Sequence, residues 1–214
     1  MNVATKIIRV SAEKVSPQKT KQIAGTLRRE GVIVYPTETF YGLGASCFSK
    51  KATQRIYQLK KRTLLKPISI LVLDTKMVRE VAVDIPSLFW RLVKEFWPGP
   101  LTLVLKASSL LPEEILGPGH SIGLRVPSLP WLRNLLRETS FPITATSANI
   151  SGEKEISYPQ VVIAAFQGRV DLIVDGGKTR GVSPSTVVDL TSSKPIILRE
   201  GAVPRSSLER FLAD

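Results

Sequence analysis

Several short runs of this sequence carry residues suited to holding anions. Pro36-Thr37-Glu38-Thr39-Phe40-Tyr41-Gly42-Leu43-Gly44 packs hydroxyls, a carboxylate and two glycines into nine positions, and glycine permits close backbone approach. Lys60-Lys61-Arg62 concentrates cations, and Arg125 lies in Arg125-Val126-Pro127. Thr146-Ser147-Ala148-Asn149-Ile150-Ser151-Gly152 sets hydroxyls beside an amide. Ser185-Thr186-Val187-Val188-Asp189 and Leu198-Arg199-Glu200-Gly201 add a further hydroxyl run and another arginine. Side chains of these types bind phosphates and carboxylates. No G-x-x-x-x-G-K-[ST] run occurs, nor a G-x-G-x-x-G after a strand, so a nucleotide must be held without either fingerprint.

Other chemistry is excluded by composition. Cys47 is the only cysteine and His120 the only histidine. Disulfides, Cys-rich zinc sites and Cys–His or Ser–His–Asp catalysis therefore have no residues to use, and no metal site is assigned. Cys47 reads as a small buried apolar residue, and His120, beside Gly117, Pro118 and Gly119, as a loop residue. The charge is lopsided. Residues 1–66 hold 14 Lys+Arg against 3 Asp+Glu, a net of +11, whereas the rest of the chain holds 16 against 15, a net of +1. Such a field is either a solubilising face or one that draws in phosphates or RNA.

Elements to position these residues alternate along the chain. The opening MNVATKIIRV alternates like a strand. Ser16-Pro17 starts a helix with Ile23, Ala24 and Leu27 on one stripe, ended by Gly31. Val32–Tyr35 is a strand closed by Pro36, and residues 36–44 read as a loop from strand to helix. Ser49 caps a helix whose Ala52, Ile56 and Leu59 face the core, leaving Lys51, Arg55 and Lys60 off the stripe. Strands at Ile68–Leu73, Leu101–Leu105, Ile122–Val126, Ile143–Ala145, Leu172–Val174, Thr186–Leu190 and Ile196–Leu198 follow. Between them fall helices around Leu88–Phe96, Trp131–Glu138 and Gln160–Phe166, with a last short helix at Leu208 and Phe211. This predicts an α/β or mixed α+β fold on one sheet, a single domain over residues 1–214. No stretch approaches the roughly 20 apolar residues of a membrane span, so a soluble, cytoplasmic protein is expected.

Taken together, PTET-x-YGLG, K-x-R, WPGPLT and TSAN-x-SG, in this order from about residue 20 to 202, resemble the YrdC-like family of threonylcarbamoyl-AMP synthases. The resemblance implies a twisted mixed sheet with flanking helices and a concave basic cleft. It also implies an enzyme, a nucleotidyltransferase that condenses L-threonine, bicarbonate and ATP, with Mg2+ on the nucleotide, into threonylcarbamoyl-adenylate and pyrophosphate for tRNA modification. Downstream threonylcarbamoyl-transfer proteins would take the product. Lys60 and Arg62 match residues that meet the ATP phosphates and act in catalysis. Ser147 and Asn149 match phosphate or ribose contacts, and Ser121 and Arg199 match the nucleotide side. Arg125 matches the arginine that pairs with the threonine carboxylate, while Thr37, Ser185 and the Ala145 main chain match the amino-acid pocket.

Departures from the pattern are Lys61 and Thr63 in the K-G-R-P block and Glu155 in place of a serine. The additional C-terminal domain of longer relatives is expected to be absent. Two other classes are a module that binds RNA weakly through the basic first third, and a catalytically silent relative. Survival of K-x-R and S-x-N argues against the latter.

Overall fold

A computed structural model describes residues 3–11, 15–63, 66–181 and 183–212. Strand β1 (Lys6–Arg9) buries Ile8 between exposed neighbours; Met1 and Asn2 of the expected strand lie outside the described residues. Ser16 caps α1 (Pro17–Arg28) by accepting from Lys19 N, and the helix buries Ile23, Ala24 and Leu27. Past it the chain takes a left-handed step at Glu30 (φ 57) and then needs Gly31, where a Cβ would come within 2.7 Å of Thr26.

β2 (Ile33–Pro36) and β3 (Tyr41–Gly44) form a hairpin, followed by α2 (Lys50–Lys60) and β4 (Ser69–Leu71). The expected loop over residues 36–44 is thus a turn and a fully buried strand. Its glycines make room for an aromatic ring inside the sheet. A Cβ on Gly44 would lie 2.6 Å from Tyr35 Cε1, and one on Gly42 would lie 3.2 Å from Tyr35 Cζ. Ser49 caps α2 by accepting from Ala52 N at 3.1 Å, as its position predicts. α3 (Thr75–Val81) and β5 (Ala82–Val83) have no counterpart in the sequence reading; Asp74 caps α3 through bonds from Lys76 N and Met77 N.

α4 (Ser87–Phe96), β6 (Leu101–Ala107), β7 (Ser121–Arg125), α5 (Pro130–Thr139), β8 (Ile143–Ser147), α6 (Pro159–Phe166), β9 (Leu172–Asp175), β10 (Thr186–Asp189), β11 (Ile196–Arg199) and α7 (Arg205–Leu212) complete the chain. The strands build one mixed sheet in the order β1-β9-β2-β3-β8-β4-β7-β6-β10-β11, with β5 beside β6. Period-2 alternation divides the core between its faces. Ile33 and Tyr35 point to a layer with Ile23, Leu27, Trp131 and Leu135 of α1 and α5, whereas Val32 and Val34 join Ala52 and Ile56 of α2 in the larger one. Cys47 is buried in that larger layer, and burial pushes its thiol pKa up. No described helix is long and apolar enough to cross a membrane.

Candidate functional site

The β2–β3 turn is built by Thr37. Its hydroxyl accepts from Thr39 N at 3.1 Å and Phe40 N at 3.2 Å, and it donates to Phe40 O at 2.7 Å. That side chain satisfies backbone groups the turn would otherwise strand. The turn projects Glu38 across the sheet to Arg125, 87 residues away, at the C-terminal end of β7. Glu38 Oε1 accepts from Arg125 Nη1 at 2.6 Å, with the side chains only 12% and 9% exposed. Glu38 Oε2 is buried and has no hydrogen-bond partner among the described residues.

Lys60 ends α2 and is 1% exposed. The helical wheel puts it off the apolar stripe, yet the turn after β8 folds over it. Its ammonium donates to Ser147 O, to Asn149 O at 3.0 Å and to Asn149 Oδ1 at 2.9 Å. The Asn149 amide oxygen also accepts from Ser147 Oγ at 2.6 Å, and its amide nitrogen donates to Glu153 O at 2.6 Å. Burial, reinforced by the nearby Arg62 cation, lowers the Lys60 pKa to about 8. Lys61 then caps the helix in the left-handed conformation at φ 47 and turns the chain sharply. Arg62 thereby reaches back to donate to Thr146 Oγ1 at 3.3 Å and Pro67 O at 2.8 Å. Its Nε is buried with no partner among the described residues, and burial lowers the Arg62 pKa.

Across the cavity, Arg199 at the end of β11 donates from Nε and Nη2 to Ser185 O at 3.1 and 2.9 Å. Ser185 Oγ lies 2.9 Å from Thr102 Oγ1. Glu155 stands on the same wall; burial raises its pKa, opposed by the Arg199 and Lys60 cations.

Among these groups lies a cavity of about 230 Å3, and Glu38 is not one of its lining residues. Of the residues singled out from sequence, Thr37, Arg62, Arg125, Ala145, Ser147, Ser185 and Arg199 line it. Lys60 and Asn149 are not among its lining residues; they form the hydrogen-bonded layer behind Ser147. Ser121, at the opposite end of β7 from Arg125, is not on the wall either. The wall also includes Thr39, Ser69, Thr102 and Thr146, to which the sequence assigns no individual role. Glu38 is in the PTET run, but nothing in local spacing shows that it pairs with Arg125.

The arrangement offers three guanidiniums and many hydroxyls around a small space, a chemistry matched to carboxylate and phosphate. Comparison with known proteins points the same way. The Sua5/YciO/YrdC family model, described as telomere recombination, matches residues 25–201. Over 202 residues the chain is 37% identical to a threonylcarbamoyl-AMP synthase of Pyrococcus abyssi, covering 94% of this chain and 59% of that one. The crystal structure of P. abyssi Sua5 complexed with L-threonine superposes with a TM-score of 0.92, covering 97% of this chain and 61% of that one at 37% identity. Escherichia coli YciO superposes with a TM-score of 0.87 at 29% identity, covering 97% of this chain and 100% of that one. The chain thus spans about three fifths of the length of the P. abyssi protein and the full length of YciO. A match over most of the sequence, with the same fold beneath it, makes the chain a member of the Sua5/YciO/YrdC family.

Proposed function

We propose that this chain is a threonylcarbamoyl-AMP synthase. L-threonine and bicarbonate combine to a carbamate with loss of water; a carbamate oxygen then attacks the α-phosphorus of ATP and pyrophosphate leaves. The observation that carries the reading is the convergence of Arg62, Arg125 and Arg199 on one cavity, with the Lys60 ammonium held just behind its wall. The nucleophile belongs to the substrate, so the protein's work is positioning and charge stabilisation.

In this reading Arg125 takes the threonine carboxylate, and Thr37, the Ala145 main chain and Ser185 shape the amino-acid pocket. Arg62 meets the phosphates directly, and Lys60 adds charge through the Ser147–Asn149 turn. Ser121 and Arg199 belong to the nucleotide side, of which Arg199 has the support of a wall position. Mg2+ would arrive with the triphosphate and neutralise part of its charge; Glu155, a carboxylate on the wall, is the residue that fits it. The product would pass to proteins that transfer the threonylcarbamoyl group to tRNA, which sets the work in the cytoplasm. Pyrophosphate release in mixtures lacking one component tests the reading. Release should require threonine, bicarbonate and ATP together, and equal release without bicarbonate would contradict it.

A further inference from the structure

Among the described residues, Glu155 is the only acidic residue on the cavity wall. The cations near it are held by neutral atoms. Arg62 donates to Pro67 O at 2.8 Å and Thr146 Oγ1 at 3.3 Å, and Arg199 to Ser185 O at 2.9 and 3.1 Å. Behind the wall, Lys60 donates to the Ser147 and Asn149 carbonyls. Only Arg125 has a carboxylate partner, Glu38. Glu155 itself makes no hydrogen bond or ion pair among the described residues. The charges of Arg62 and Arg199 are thereby left for a ligand, and the charge of Glu155 is left uncancelled on the same wall. Arg199 and Lys60 favour its ionised form from a distance, against the burial that raises its pKa. An unpaired carboxylate in a space walled by guanidiniums opposes every negative charge that those guanidiniums attract.

Resting on the nucleotide side of the site proposed above, we infer that Glu155 sets the form of nucleotide the cavity accepts: a triphosphate already complexed with a divalent cation, and not the free triphosphate. The bound cation cancels part of the ligand's charge and gives the carboxylate a hard positive centre to face, whereas the free triphosphate meets Glu155 as one anion meets another. The serine of the family pattern, which Glu155 replaces, carries no charge and would not tell the two forms apart. The selection works through an unfavourable contact with the wrong form as much as a favourable one with the right form.

Calorimetric titration of the whole chain with ATP, once with Mg2+ and once with EDTA, reads the two forms without turnover when threonine and bicarbonate are left out. Wild-type protein should bind the magnesium complex at least about tenfold more tightly than free ATP. Glu155→Gln and Glu155→Ser remove the charge, so free ATP should tighten by at least about tenfold and the preference for the complex should collapse. Glu155→Asp keeps the charge and should keep the preference. Unchanged affinity for free ATP in a folded Glu155→Gln protein overturns the inference. A parallel weakening of both forms in all three variants marks a merely structural residue and overturns it as well. So does equal binding of the two forms by wild-type protein, which needs no variant to fold. Binding of neither form by wild-type protein would instead overturn the nucleotide side of the site, and this inference with it.

Discussion

The amide oxygen of Asn149 accepts from both Lys60 Nζ, at 2.9 Å, and Ser147 Oγ, at 2.6 Å, so one atom fixes a helix-end ammonium against the turn that lines the cavity. The family resemblance alone would give Asn149 to the ligand; the geometry makes it first a positioning residue for Lys60. Asn149→Ala removes the shared acceptor and should lower turnover about 10- to 100-fold, the scale expected when a charge shifts by about an ångström in a catalytic site. Asn149→Asp keeps the acceptor and adds a negative charge that raises the Lys60 pKa above about 8. The alkaline limb of its pH–rate profile should move to higher pH. A limb that stays where the wild type has it would remove Asn149 from control of Lys60.

Folding carries a related signature. The Lys60 pKa is about 8 in the folded protein against 10.5 for the unperturbed side chain. Between those values the unfolded chain binds a proton that the folded chain does not, so stability rises with pH across that window as far as this group decides it. Lys60→Met should remove that contribution. Urea midpoints at several values from pH 7.5 to pH 9.5, compared between the two proteins, measure it; parallel curves would show that Lys60 keeps its ordinary pKa.

The β2–β3 hairpin should be intolerant of a single methyl group. Gly44→Ala drives a Cβ toward the buried Tyr35 ring, whose hydroxyl donates to Thr144 O at 3.0 Å and which meets Trp131 in a T-shaped pair. Overpacking of this kind costs about 1–3 kcal/mol. A thermal melt should show a fall of several degrees, each kcal/mol being worth about 2–4 °C at this chain length. An unchanged melting temperature would mean that the ring moves aside freely.

These results also show what a sequence can disclose about such a site. Arg125 is legible because it interrupts an otherwise uncharged strand run, Ile122–Val126, where an arginine must find a partner, and it is the last residue of β7. Ser16 and Ser49 announce their helices by local capping chemistry, and both caps form. Gly42 and Gly44 mislead because the reason for them is a ring on the neighbouring strand, and a loop needs the same residues. α3 is short, and its cap Asp74 is the main local signal for it. Lys60 is hardest, since a helical wheel describes one helix and its burial comes from a turn almost ninety residues later. The Glu38–Arg125 pair is hidden for the same reason: each residue is locally ordinary, and only the sheet order brings them together.

The lopsided charge gives a separate test. Lys19 and Lys21 are exposed on α1, away from the cavity wall. Substituting both by alanine should leave turnover nearly intact, whereas Lys60→Ala should cost on the order of 2–4 kcal/mol of transition-state stabilisation. If the basic first third served RNA instead, the surface pair would each reduce the salt slope of RNA binding by roughly one phosphate's worth. Full turnover in Lys60→Ala, with salt-sensitive RNA binding lost in the double variant, would favour an RNA-binding module.

The most direct measurement of the central claim is the fate of labelled bicarbonate. The protein is incubated with L-threonine, ATP, Mg2+ and 13C-bicarbonate, quenched early, and the products are resolved by mass. The carbamate route predicts threonylcarbamoyl-adenylate carrying the label, formed in step with pyrophosphate. Unlabelled threonyl-adenylate, which joins the amino-acid carboxylate itself to AMP, would contradict it.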